Sequence, residues 1–398
     1  MRFLILLPFM ALLPAPASAQ SAPRDRPPLP AGADVNDVAE FYRLANQLLE
    51  SNPVRAEQAY AWAARLAPGS AELWYGRFVA RLLARPEFLI RWMQADVRAM
   101  RQRDMMALDS LRLAFHTADP FFFGQYDGKL LMAYFDELIE RDLRQSGNTS
   151  AVDRAAIDFE LTNYLKRQGP EMNGWLAYTE RRFANALSHY TSALKVTKDR
   201  AGLYSSRALV FYHTGRYAEA IADLKLAVED RSKQEKDKLV HVYESQATYE
   251  FMIGRASEAM NDTASAREAY ARALLSELSY YPAHLRLGRL DLAAGDTAAA
   301  LNAFKTALDL RPNDPAIRYL YGDLLLSAGR PAEAEPELKQ ATVLEPYFAA
   351  PYYGLGRVAE LQGKRADAAA WYRQFLERTS RRNELRAAAE TKLRELGS

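Results

Sequence analysis

Four glycines, Gly254, Gly288, Gly322 and Gly356, recur every 34 residues. Twelve residues past each stands an alanine (Ala266, Ala300, Ala334, Ala368), and four further on a bulky residue (Tyr270, Phe304, Leu338, Tyr372). Three beyond that come Ala273, Ala307 and Ala341, with Phe375 breaking the series. A fixed period of this length, carried by residues of matched size, marks a stack of helix pairs in which each unit packs on the next. Glycine and alanine let two backbones approach closely, and the large residue fills space that one pair cannot bury alone. The period specifies a surface and leaves open what that surface holds.

The same steps recur more loosely upstream. Ala56, Tyr60 and Ala63 repeat them near the start, followed by Trp74 and Gly76; Gly174, Ala186, Tyr190 and Ala193 repeat them later, and then Ala208, Ala220, Leu224 and Ala227. From Ala208 to Gly254 the step is 46 instead of 34, and the extra residues include the polar run 231–238. With no glycine or proline to stop a helix there, lengthened helices that leave the stack continuous are expected, with a charged loop between two subarrays as the alternative.

This set of positions, with Pro312 and Pro346 closing the second helix of two units, resembles the tetratricopeptide repeat (TPR) family. The resemblance implies an all-α fold, a right-handed superhelical α-solenoid of helix pairs. Here an atypical helical segment would separate an N-terminal unit from the main array. It also implies that the first helix of each unit lines a concave groove, with the residue after the glycine pointing into it. Those residues are Arg255, Arg289, Asp323 and Arg357, and three positions before the glycines stand Phe251, Leu285, Tyr319 and Tyr353. Arginine grips carboxylates through paired hydrogen bonds and tyrosine supplies contact area at low entropic cost, so an extended protein or peptide partner carrying acidic groups is expected. The alternative is a solvated arginine row. The lysine and asparagine set with which some family members clamp a C-terminal carboxylate is not reproduced, so that ligand does not carry over.

The remaining organisation is read from local composition. Residues 1–19 carry Arg2, an apolar run and Ala17-Ser18-Ala19, which read as a signal peptide cleaved near Ala19 and place the protein in the periplasm or outside the cell. The apolar run is shorter than the roughly 20 residues of a membrane span, and no later stretch is apolar enough to cross. No cysteine is present, so neither a lipid-anchoring cysteine nor a disulfide is available. Residues 20–36, with Pro27, Pro28 and Pro30, read as an extended spacer. Helices of the repeat type follow in 37–84, an atypical helical segment in 85–168 (Val152 to Leu165 among its helices), repeat units with an insertion in 169–246, three to four regular units in 247–382 and a capping helix in 383–398. Within the atypical segment, Phe121, Phe122 and Phe123 stand together in a loop. They are either an exposed hydrophobic anchor for a partner or a plug at a helix junction.

Chemistry is sparse. Net charge is +2 with acids and bases interspersed, so no nucleic-acid footprint is expected. The five histidines, His116, His189, His213, His241 and His284, have no metal-ligand spacing, and Gly354-Leu355-Gly356 lacks the third glycine of a dinucleotide fingerprint. No nucleophile elbow or phosphate loop is present. The chain is therefore expected to have no metal, no cofactor and no enzymatic activity. The leading reading is an exported protein-binding scaffold in a cell-envelope or secretion complex. The alternatives are a glycan- or cell-wall-binding solenoid and a hydrolase with its site in 85–168.

Overall fold

The computed structural model describes residues 25–93, 102–122, 124, 126–145, 169–198, 200–234 and 245–397. The expected signal segment 1–19, the Val152 to Leu165 helix, His241 and Phe123 lie outside the described residues. Every regular element among those described is a helix. The N-terminal part contains α1 (Val38–Leu48), α2 (Pro53–Leu66), α3 (Ala71–Leu83), α4 (Pro86–Met93), α5 (Gln102–Ala118) and α6 (Asp127–Gln145). Two pairs follow, α7 (Pro170–Thr179) with α8 (Phe183–Ala193) and α9 (Ala201–His213) with α10 (Tyr217–Gln234). Four more come after them: α11 (Gln246–Ala259) with α12 (Thr263–Ser276), α13 (Tyr281–Ala293) with α14 (Thr297–Leu310), α15 (Pro315–Ser327) with α16 (Pro331–Leu344), and α17 (Ala350–Leu361) with α18 (Arg365–Arg378). The last helix, α19 (Leu385–Glu395), buries only Ala389.

The helix starts follow from local chemistry. Asp37, Asn52, Asp262, Asp296 and Asp314 each accept a hydrogen bond from a backbone N–H of the first turn, while prolines without an N–H to lose open α2, α15 and α16. The 34-residue rule then sets how each pair crosses. A Cβ built on Gly254 would lie 2.4 Å from the Tyr270 ring, and one on Gly356 2.5 Å from Tyr372. Phe304 and Leu338 cover Gly288 and Gly322 in the same way. The large residue thus sits first over the glycine of its own pair. Leu338 also reaches Gly354 of the following unit, the inter-unit filling expected of every bulky position. All the alanines of the motif are fully buried.

A second ladder fixes the register through the irregular step. The turn inside each pair carries a left-handed residue: Arg181, Gly215, Asn261, Gly295, Gly329 and Gly363, all with φ between 58° and 82°. The 46-residue step falls between Gly215 and Asn261. α10 runs to Gln234, and Leu224 of α10 and Tyr249 of α11 share one apolar cluster, so the stack continues across the insertion.

The N-terminal part folds back onto the later repeats. Trp62 of α2 packs its ring 4.7 Å from that of Tyr347, with Arg65 over both rings and ion-paired to Glu345 at 3.2 Å. The segment expected to be a spacer is, from Asp25 on, bound into this contact. Arg26 lies over Trp62, the backbone N–H of Arg381 donates to Asp34 at 2.7 Å, and Asn36 donates to the Glu377 carbonyl at 2.7 Å. The prolines that suggested unpaired backbone carry a clasp between the two ends of the described chain.

Candidate functional site

The fold-back creates a half-open space on the side of the first helices. Its walls come from α3 and α5 on one part of the chain and from α11, α13 and α15 on the other, with Arg311 just past α14. The cavity measures about 580 Å³. Trp74, Leu111, Phe251, Leu285 and Leu320 supply apolar lining, and Arg77, Arg81, Arg286, Arg289 and Arg311 supply charge. Tyr281 of α13 donates to Thr117 Oγ1 of α5 at 2.9 Å, tying the two walls together.

The residues expected to line a groove divide into three groups. Phe251, Leu285 and Arg289 do border the chamber. Arg255 is instead engaged by the chain itself, 3.6 Å from the Asp119 carboxylate and 3.9 Å from Glu258. Asp323 and Arg357 pair with each other at 3.0 Å one unit apart, so the aspartate that interrupts the cationic row neutralises its last member. Tyr319 sits edge-on to Phe348, and Tyr353 packs on Tyr372 and Phe375, so both rings serve contacts within the stack. A continuous cationic row over four units does not form, because two of its four charges are internally matched and a third is held by the Asp119 loop.

The phenylalanine loop lies against the first-helix face. Phe121 is 1% exposed and stacks flat on Tyr212 of α9 at 3.6 Å, while Phe122 packs at 5.0 Å on Tyr75 of α3. The role of exposed anchor does not fit Phe121 or Phe122, since the rings are consumed by the junction between the N-terminal helices and the repeats. Beside them Tyr75 donates to Asp127 at 2.6 Å, and burial pushes the Asp127 carboxyl up to about 6, against the lowering effect of hydrogen bonds from Tyr75 and Trp175. Burial, with nearby Arg112 adding to it, brings His116 down to about 3. Among the described residues no group of three or more His, Asp or Glu side chains could hold a metal ion, and no helix is long and apolar enough to cross a membrane.

Position-specific reasoning missed Arg77, Arg81, Arg286 and Arg311. Arg286 and Arg311 fall outside the positions fixed relative to the glycines, and Arg77 and Arg81 lie in a part of the chain whose fold-back has no periodic signal.

Family models agree with the helix pairs. Family models described as tetratricopeptide repeat match residues 171–235, 291–343 and 324–383. Over those residues the chain consists of tetratricopeptide repeats. Among solved structures it is similar to the C-terminal part of a TPR repeat-containing protein from Cytophaga hutchinsonii, at 16% identity and a TM-score of 0.42, over 51% of this chain and 77% of that one. It is also similar to YrrB, described as a TPR protein with an unusual peptide-binding site (20% identity, TM-score 0.41, covering 51% and 98%), and to MamA (20%, 0.36, covering 44% and 94%). No curated protein matches the chain.

Proposed function

We propose that this chain is an exported scaffold that holds a protein partner on its first-helix face, in the periplasm or outside the cell, as part of a cell-envelope or secretion assembly. TPR proteins bind protein or peptide partners, which sets the class of function. The observation that carries the reading is the chamber: an accessible cavity of about 580 Å³ in which arginines alternate with apolar side chains on those helices. Such a lining combines charge-assisted hydrogen bonding with apolar contact area, the two contributions an acidic peptide segment needs. The motif Ala17-Ser18-Ala19 supports export, and family members are typically not enzymes, in keeping with a binding role.

Cross-linking in the native envelope followed by mass spectrometry tests the proposal. One protein recovered in constant ratio to the chain supports it; recovery of polysaccharide alone would replace it with glycan binding. Mass measurement of the secreted chain checks the export step, with a mature N-terminus at Gln20 as the expected result.

A further inference from the structure

Thr117, Asp119 and Phe121 each meet a different first helix. Thr117 Oγ1 accepts from Tyr281 of α13 at 2.9 Å, the Asp119 carboxylate lies 3.6 Å from Arg255 of α11, and Phe121 stacks on Tyr212 of α9 at 3.6 Å. In the repeat register these contacts fall seven residues before Gly288, one after Gly254 and four after Ala208. Side chains two apart therefore cross three successive units on one diagonal, from the start of α13 to the end of α9. A stack of helix pairs presents its first helices side by side, so a segment that crosses three of them occupies the place of a ligand.

The segment is shaped before it meets the repeats. Helix α5 ends at Ala118, Asp119 Oδ1 accepts from the N–H of Phe121 at 3.0 Å, and Pro120 between them narrows the backbone further. Its departure strands no charge. The side chain of Asp119 is 39% exposed against 15% for Arg255, so the carboxylate already reaches water. Arg255 keeps Glu258 at 3.9 Å on its own helix, and Tyr212 keeps Tyr217 at 5.3 Å. What departure uncovers is an aromatic slot on one unit and a guanidinium on the next.

We propose that residues 117–121 are a resident occupant of the first-helix face, and that a protein partner enters by displacing them with an internal segment of like chemistry. That segment presents an acidic side chain to Arg255 and, two residues on, an aromatic ring to Tyr212. No chain end takes part. The proposal rests on the first-helix face being where the scaffold holds its partner. Affinity for such a segment is reduced by the fraction of molecules in which the resident one is out, so this part of the face is closed at rest and opened by competition.

The test uses the mature full chain and a labelled peptide, acetyl-Thr-Ala-Asp-Pro-Phe-amide, capped so that no terminal carboxylate is offered. Its counterpart is acetyl-Thr-Ala-Asn-Pro-Ala-amide, and binding is read by fluorescence anisotropy. Asp119→Asn/Phe121→Ala empties both positions and should bind the first peptide about tenfold or more tightly than the parent does, with no gain for the counterpart. Adding Arg255→Gln should remove about tenfold of that affinity. Asp119→Asn alone leaves every ring in place and should gain about threefold, the size of a half-exposed ion pair. The proposal is overturned if the double variant, folded by its melting curve, binds no more tightly than the parent, if the counterpart gains equally, or if Arg255→Gln leaves the gain intact. Where the double variant does not fold, parental binding by Asp119→Asn overturns it. A partner cross-linked in equal amount by parent and double variant would leave the scaffold standing and remove only the resident segment.

Discussion

The array α11–α18 and the segment α4–α6 with its phenylalanine loop solve the same packing problem in opposite ways. In the array one contact is used four times: a glycine on the first helix, a ring or leucine laid over it from the second, and fully buried alanines on either side, with Phe375 replacing the last of them. In the segment every contact is made once, as with Phe121 on Tyr212, Phe122 on Tyr75, and Tyr75 on Asp127. Repetition makes a regular surface but encloses nothing, because each unit touches only its neighbours. The singular segment bridges helices far apart in sequence, and the chamber exists because it does.

Substitutions can break or sharpen that contrast. The largest effect is expected for Tyr270→Ala, which empties the space over Gly254 in the first pair of the array; a loss of about 3–5 kcal/mol is expected in chemical denaturation. Phe121→Ala should cost about 3 kcal/mol, since its ring is equally buried. Hydrogen exchange should then speed up in α5, α6 and α9 while α15–α18 stay as protected as in the parent; uniform loss of protection would show that the two regions form one cooperative unit after all. Ala307→Phe should overpack a tight crossing at a cost of about 1–3 kcal/mol, and a parental melting temperature would refute the crossing assignment.

Two groups of the segment α4–α6 should shape the pH response. Burial keeps His116 neutral, with a folded-state value of about 3 against an ordinary 6.5. Below pH 6.5 the unfolded chain takes up a proton that the folded chain refuses, so this stabilisation is present above 6.5 and is lost as pH falls toward 3. Asp127 runs the other way: raised to about 6, it makes the fold less stable as pH climbs from 3.8 to 6. His116→Gln should therefore gain relative to the parent by about 1 kcal/mol per pH unit below 6.5, read as the difference between the two denaturation midpoints. Parallel curves would mean that the segment opens before His116 titrates. The smallest effect belongs to the turn ladder, where Arg181 holds the left-handed position that glycine occupies in four other pairs. Arg181→Gly should stabilise by about 0.5–1 kcal/mol, measurable as a small rise in the thermal midpoint.

Periodicity made the array legible because residue size at fixed spacing is a direct imprint of how closely two helices approach. The left-handed ladder was legible in part: its glycines stand in the sequence, but Arg181 and Asn261 hide two of its rungs behind ordinary side chains. The site was legible only on one wall. Phe251, Leu285 and Arg289 follow from the glycine register, whereas the fate of Arg255 depends on Asp119, in a segment with no repeat to place it. The same limit applies to the proline-rich stretch. Composition suggested an extended spacer, whereas the described part turns twice, with the Ala33 N–H on the Pro30 carbonyl and the Asp37 N–H on the Asp34 carbonyl, and its clasp on Arg381 and Trp62 is a tertiary fact that composition does not encode.

That clasp changes the mechanics of the molecule. A row of helix pairs free at both ends flexes like a spring, each joint yielding a little. Here Asp34 meets Arg381 and Trp62 meets Tyr347, so the spring is closed into a hoop. A hoop resists small deformations and then gives way at its fastening. The chamber is therefore expected to hold a constant width until the clasp parts, making the ends of the described chain, far from the arginines in sequence, the point at which its opening is controlled.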